Sequence, residues 1–187
     1  MRRYRYLAFI LFVLMIAVPY ITVFIFGGGR KTAPHTDDPV RNEIFDMEIS
    51  LYRTKTKKVE TMSCYDYICA VVAGEMQANY DEEALKAQTV AAFTYMVNKM
   101  NYVKQNPDSD IGHNGAYVCD DYTHCKAYLE KQDALKKWGD EWYEKYYPNI
   151  ENAVKESLGR IITYDGSPIN AVFHAVSNGK TCSAYEV

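Results

Sequence analysis

The chain has no internal repeats and no low-complexity tract, which excludes a solenoid or array. It has no excess of basic charge. The 21 lysines and arginines face 24 acidic residues, and the net charge of −3 argues against nucleic acid as the main partner. Cysteine is scarce and odd in number, at five, so at least one thiol is unpaired or ligating. No small-x-small cleavage site follows the apolar N-terminal run, where the chain reads GGGRK. That absence argues for an uncleaved anchor over a removed signal peptide.

What is present begins with that run. Residues 7–26, LAFILFVLMIAVPYITVFIF, are 20 consecutive residues without a charge. At about 1.5 Å per residue they match a hydrocarbon core of about 30 Å. Pro19 can kink such a span, which membrane helices tolerate. Arg2, Arg3 and Arg5 precede it, and Asp37 and Asp38 follow soon after Arg30 and Lys31. The charge bias predicts the amino terminus in the cytosol and the body of the protein outside it. The expected organisation is a cytoplasmic tail at 1–6, a signal anchor at 7–26, a linker at 27–41 and an extracytoplasmic domain at 42–187. The compartment permits disulfides. At 187 residues and 48% apolar composition, there is room for one domain plus this appendage. The 17 tyrosines suit either a sugar- or partner-binding surface or ordinary half-buried positions.

The domain reads as α+β. Phe45, Met47, Ile49 and Leu51 alternate with Asp46, Glu48, Ser50 and Tyr52, the period of a half-buried strand. RTKTKK is a polar turn and VETMS a returning strand. From Ser63 the spacing becomes helical, with Asp66 completing a capping-box pattern. A second helix is predicted over Asp81–Met100, opened by acidic residues that suit its dipole. Residues 106–125 read as a loop. KAYLEKQDALKKWGDEWYEKYY is predicted as one charged amphipathic helix, with Tyr128, Leu135, Trp138 and Trp142 on one face. Pro148 is expected to start another, short helix ending at Gly159. RIITYDGSPINAVFHAV reads as two strands around a DG turn.

Two features carry chemistry. Ile68, Val71, Val72, Glu75 and Met76 share one helical stripe, so Glu75 is expected on the inward, apolar side. Desolvation there favours the protonated form, which is what a general acid needs. A salt bridge to Lys86 or a bond to a backbone amide would explain the same residue without catalysis. His113, Cys119, His124 and Cys125 lie within 13 residues. Two imidazoles and two thiolates make a tetrahedral zinc set, although the spacing is not that of a standard finger. The alternative is a Cys119–Cys125 disulfide with incidental histidines. Cys64 and Cys69 are expected as buried free thiols, and Cys182 as exposed.

VVAGEMQANYDEEALKAQTVAAFTY resembles the signature V-x-G-E-M-P…E-A-L-K-A-Q-A-V-A-A-R-T-Y of the stage II sporulation protein D family. INAVFHAVSNGKT is similar to that family's later block A-x-Y-H-S-x-S-G-G-x-T. The likeness covers roughly residues 42–187. It departs at Phe93, where the family has Arg, and at Asn178, where it has Gly. Relatives usually continue well past the stretch matched here, so the domain is expected to be partial. The resemblance implies a membrane-anchored lytic transglycosylase acting on peptidoglycan glycan strands between N-acetylmuramic acid and N-acetylglucosamine. It makes Glu75 the acid/base and the muramic 6-hydroxyl the nucleophile, leaving 1,6-anhydro ends. No second paired carboxylate is then required. Lys86, Gln88, His174 and Ser177 become substrate-binding candidates, and the four-residue loop set a zinc site like that of some clostridial relatives. The implied partners are the amidase stage II sporulation protein P and the membrane protein stage II sporulation protein M. The implied place is the mother cell membrane facing the forespore, during engulfment. A non-catalytic glycan- or amidase-binding scaffold is the competing expectation.

Overall fold

The computed structural model describes residues 43–109, 111–174 and 179–180 throughout, and scattered helical positions between 3 and 21. The chain divides into two units, Met1–Thr36 and Asp37–Val187. Most of the expected 7–26 anchor lies outside the described residues. Among those described, no helix is long and apolar enough to cross a membrane.

The second unit is α+β. Strands β1 (Glu48–Arg53) and β2 (Lys58–Ser63) form an antiparallel hairpin in which Ile49 faces Met62 and Leu51 faces Glu60. A two-residue strand, β3 (Val118–Cys119), joins β1 in parallel, so the sheet order is β2-β1-β3. Alternation puts Ile49 and Leu51 on the inner face, where both are fully buried. Each contributes about 1.5–3 kcal/mol by leaving water.

Helix α1 (Cys64–Glu75) starts directly after β2, and Ser63 caps it by accepting the Asp66 N–H at 3.0 Å. Ile68, Val71 and Val72 enter the core as their spacing predicts. Helix α2 (Glu82–Gln105) is capped by Asp81 and buries Leu85, Thr89, Ala92, Phe93 and Met96. It packs against α1, and against α4 more extensively.

The charged segment after residue 125 departs from expectation. Residues 126–130 are not helical, and the predicted single helix is two, α3 (Lys131–Trp138) and α4 (Asp140–Ser157). Gly139, at φ +80°, breaks them because that backbone is open to glycine and strained for other residues. Pro148 does not start a helix; it sits inside α4. A proline there forfeits one backbone bond. The helix continues because Tyr147, Ile150, Ala153 and Val154 are buried on its inner side. Leu135 is exposed, so it does not share the face assigned to it.

The DG turn is present. Asp165 and Gly166, both at positive φ, join β4 (Thr163–Tyr164) to β5 (Ser167–Pro168), strands shorter than the sequence suggests. The hairpin is pinned to α2: the Asn98 side chain donates to the Pro168 carbonyl at 2.9 Å, and the Ile162 N–H donates to Thr94 Oγ1 at 3.0 Å.

Candidate functional site

Glu75 is the last residue of α1, and the residue before it decides what surrounds it. A Cβ on Gly74 would lie 2.7 Å from the Ala127 carbonyl carbon and 2.9 Å from the Tyr128 nitrogen. Only glycine lets the 126–129 segment lie this close to the helix. The segment is held there by the Leu129 N–H donating to the Ala70 carbonyl at 2.9 Å. The approach delivers the Ala127 N–H to Glu75 Oε1 at 2.9 Å. Glu75 is half-buried, and its surroundings are not the purely apolar ones that the stripe implied. One carboxyl oxygen is taken by a backbone donor, a contact across 52 residues that helical spacing cannot show.

Beside that contact lies Lys126, which sequence reasoning did not single out. It is only 8% exposed. Its ammonium stands 4.4 Å from the Tyr95 ring centroid and 3.9 Å from that of Phe173. Burial holds it below the ordinary lysine range, while the charges of Glu75 and Cys125 favour the cation and Lys99 opposes it. Tyr95 and Phe173 come from the two motif blocks, so Lys126 joins them. The only sequence signal is its place directly after Cys125.

The four loop residues converge. His113 Nε2 is 2.8 Å from His124 Nδ1 and 3.3 Å from Cys125 Sγ, and Cys119 Sγ is 3.5 Å from His124 Nδ1. All four candidate ligand atoms lie within 4.8 Å of one another. A tetrahedral zinc with bonds of about 2.1 Å to nitrogen and 2.3 Å to sulfur has edges of roughly 3.3–3.8 Å; the His113–Cys125 and Cys119–His124 separations match it, and the two imidazoles would move apart from 2.8 Å to take the ion. Both thiols are free, and no disulfide joins Cys119 to Cys125. Cys119 donating to it, and then His113, pull the Cys125 thiol well below its ordinary value, which favours the thiolate a metal binds. The turn that sets the spacing is local: Asp121 Oδ1 accepts from the Thr123 N–H and hydroxyl, and the Asp121 carbonyl accepts from the Cys125 N–H. β3 fixes Cys119 opposite Tyr52. His113 is fully buried and His124 is exposed.

The other expected site residues are dispersed. The Lys86 ammonium binds Glu82 and Glu156, each at 2.6 Å, and Glu83 at 3.1 Å; Glu75 is not among its partners. Glu156, then Glu82, hold it above its ordinary range. Gln88 is half-buried, and its Nε2 has no hydrogen-bond partner among the described residues. His174 is exposed. Ser177 lies outside the described residues. The clefts of about 370 Å³, bordered by Arg53, Tyr65 and Tyr128, and about 610 Å³, bordered by Tyr52 and Asn114, are both lined without Glu75.

The helix-terminal carboxylate seated by glycine and the two-histidine, two-cysteine loop thus sit on one small α+β frame. The sequence model of the family described as "Stage II sporulation protein" matches residues 52–164. Stage II sporulation protein D of Bacillus subtilis is 36% identical over 140 residues, 74% of this chain and 38% of the relative. Its counterpart from Bacillus amyloliquefaciens is 34% identical over 188 residues, covering 92% of this chain and 52% of the relative. The protein named amidase enhancer of Bacillus subtilis is 31% identical over 63% of this chain and 13% of its own length. The chain belongs to the stage II sporulation protein D family, a sporulation family. It spans about half or less of the curated relatives it matches.

Proposed function

We propose that the protein is a lytic transglycosylase that cleaves peptidoglycan glycan strands between N-acetylmuramic acid and N-acetylglucosamine during engulfment. The observation that carries this reading is the seat of Glu75. The Ala127 N–H donating to Oε1 fixes where the carboxyl stands at the end of α1. In the forward step Glu75 protonates the glycosidic oxygen as the C1–O bond breaks. The carboxylate so formed takes the proton of the muramic 6-hydroxyl as that oxygen bonds to C1. The 1,6-anhydro ring closes, N-acetylglucosamine leaves with its 4-hydroxyl, and Glu75 ends protonated as it began. One carboxyl serves both roles because the nucleophile is part of the substrate.

His113, Cys119, His124 and Cys125 would hold a zinc ion whose contribution is structural, cross-linking the loop that carries Lys126 and Ala127. Residues 7–26 would anchor the domain in the mother cell membrane, facing the forespore. The amidase stage II sporulation protein P would strip the stem peptides first, and stage II sporulation protein M would hold the assembly in the membrane.

Incubation of the full chain with peptide-free glycan strands, followed by mass spectrometry, tests the reading. Anhydro-muramic ends are expected from the wild type, and at least about 100-fold fewer from Glu75→Gln, the usual minimum worth of a general acid–base. A scaffold reading is favoured by Phe93, buried where the family motif has Arg. Glycan binding without anhydro ends, from both proteins, would support the scaffold and overturn the enzyme.

A further inference from the structure

Three of the chain's 17 tyrosines, Tyr65, Tyr128 and Tyr147, border one cleft of about 370 Å³, walled by the β1–β2 hairpin, α1, α3 and α4. Its volume falls at the small end of the range for small-ligand sites. The cleft does not contain Glu75 but adjoins its seat. Tyr128 follows Ala127 directly, and Ala70, on the cleft wall, lies about 7.5 Å of helix rise before Glu75. Phe45 stacks on Tyr65 with ring centroids 5.4 Å apart, and Tyr67 on Tyr128 at 5.9 Å, so both half-buried rings are held in place.

The rim is charged, and its charges are already paired. Arg53 binds Glu60 at 3.0 Å and also Glu130, and Lys131 binds Glu151 at 2.9 Å. Each cation also lies over a ring, Arg53 5.2 Å from the Tyr128 centroid and Lys131 5.3 Å from that of Tyr147. Asp66 adds to the acidic side, and one of its oxygens accepts the Ser63 hydroxyl at 2.7 Å. This lining selects among ligand classes. The acidic surplus repels an anion, a hydrocarbon would strip water from the rim charges, and a simple cation meets carboxylates that are taken. A neutral pyranose fits each part. Its C–H face packs on an aromatic ring, and its hydroxyls both donate and accept. A paired carboxylate keeps lone pairs for hydroxyl donors, and a paired guanidinium or ammonium keeps N–H groups for hydroxyl oxygens. We propose that this cleft is a second glycan site, which takes a neutral N-acetylglucosamine residue with Tyr65 as its platform. It holds glycan beside Glu75 without entering the chemistry.

This inference rests on the glycan reading for its ligand, and its test is kept apart from turnover. The full chain carrying Glu75→Gln is incubated with N-acetylglucosamine oligomers, which are neutral and lack the lactyl group. Side-chain exposure is read by hydroxyl-radical footprinting and mass spectrometry. Oxidation of Tyr65 and Met62 should slow as oligomer is added, a readout that needs no substitution in the cleft. By calorimetry, Tyr65→Ala should bind at least about fivefold more weakly, the usual threshold for an anchoring side chain, whereas Tyr65→Phe should keep most of the affinity. Thermal unfolding of each variant checks that it is folded. No binding, bound oligomer that leaves Tyr65 and Met62 as reactive as before, or undiminished binding by folded Tyr65→Ala would overturn the proposal. So would protection of the cleft by a lysine-rich peptide and not by the sugar, which would mark a protein partner. Anhydro ends from the wild type without protection of the cleft would remove this inference alone. Protection without anhydro ends would remove the transglycosylase alone.

Discussion

At Gly74 the side chain that is missing does the positioning. Its Cβ direction is filled by the Ala127 and Tyr128 backbone, so Gly74→Ala has to push that segment off α1. The expected cost is about 1–3 kcal/mol, the usual range for overpacking, read as a lower urea midpoint. Glycan cleavage should fall further than the stability loss explains, because the Ala127 N–H leaves Glu75. The stripe of Ile68, Val71 and Val72 was legible from spacing, since it depends on neighbours within one helix. A bond from Glu75 to a backbone amide was among the readings the sequence allowed and is what forms; which amide supplies it was not legible, because the donor is 52 residues away. Cys64 and Cys69 were legible as buried thiols, and burial raises both from 9.0 to about 12. They should resist alkylation at neutral pH in the folded protein and react on unfolding, as counted by mass spectrometry. A raised folded value stabilises fully below the unfolded pKa, so their contribution should decline as pH rises from 9.0 towards about 12.

The pairing of α2 with α4 is where element boundaries and site expectations diverge most. Lys86 lies in the motif but serves a helix contact, its ammonium bridging two carboxylates on its own helix to Glu156 on α4. Because those carboxylates are substantially exposed, Lys86→Met should cost only about 1 kcal/mol. Leu85→Ala, one position away at a fully buried site, should cost about 2–5 kcal/mol. Denaturant unfolding of the two variants separates these magnitudes. If Lys86→Met abolishes glycan cleavage at unchanged stability, Lys86 touches substrate and the strut reading is wrong. The β1–β2 hairpin from Glu48 on, the Ser63-capped helix start and the DG turn were legible because each has a local cause, whereas Phe45, expected in the strand, is helical. The break at Gly139 and the passage of α4 through Pro148 were not, since tertiary burial of Tyr147, Ile150 and Val154 overrides the local signals.

For the whole molecule, three of the four cluster residues and the donor to Glu75 lie on one stretch of backbone, residues 119–129, which runs from β3 to the end of α1. Zinc at His113, Cys119, His124 and Cys125 would therefore stabilise the fold and the seat of Glu75 together. Metal analysis of purified protein should find stoichiometric zinc. Chelation should lower the melting temperature and glycan cleavage in parallel. A protein without metal, carrying a Cys119–Cys125 disulfide, would contradict this. The candidate ligands could be named from the sequence as a set, but their convergence needs the β1–β3 pairing, which two residues of strand could not announce.

The chemistry itself is tested most directly by carrying out glycan cleavage in water labelled with heavy oxygen. If Glu75 delivers the muramic 6-hydroxyl, the new ends are anhydro-muramic and carry no label. New reducing ends carrying the heavy oxygen would mean that water is the nucleophile, and the assignment of Glu75 to a transglycosylase would be wrong.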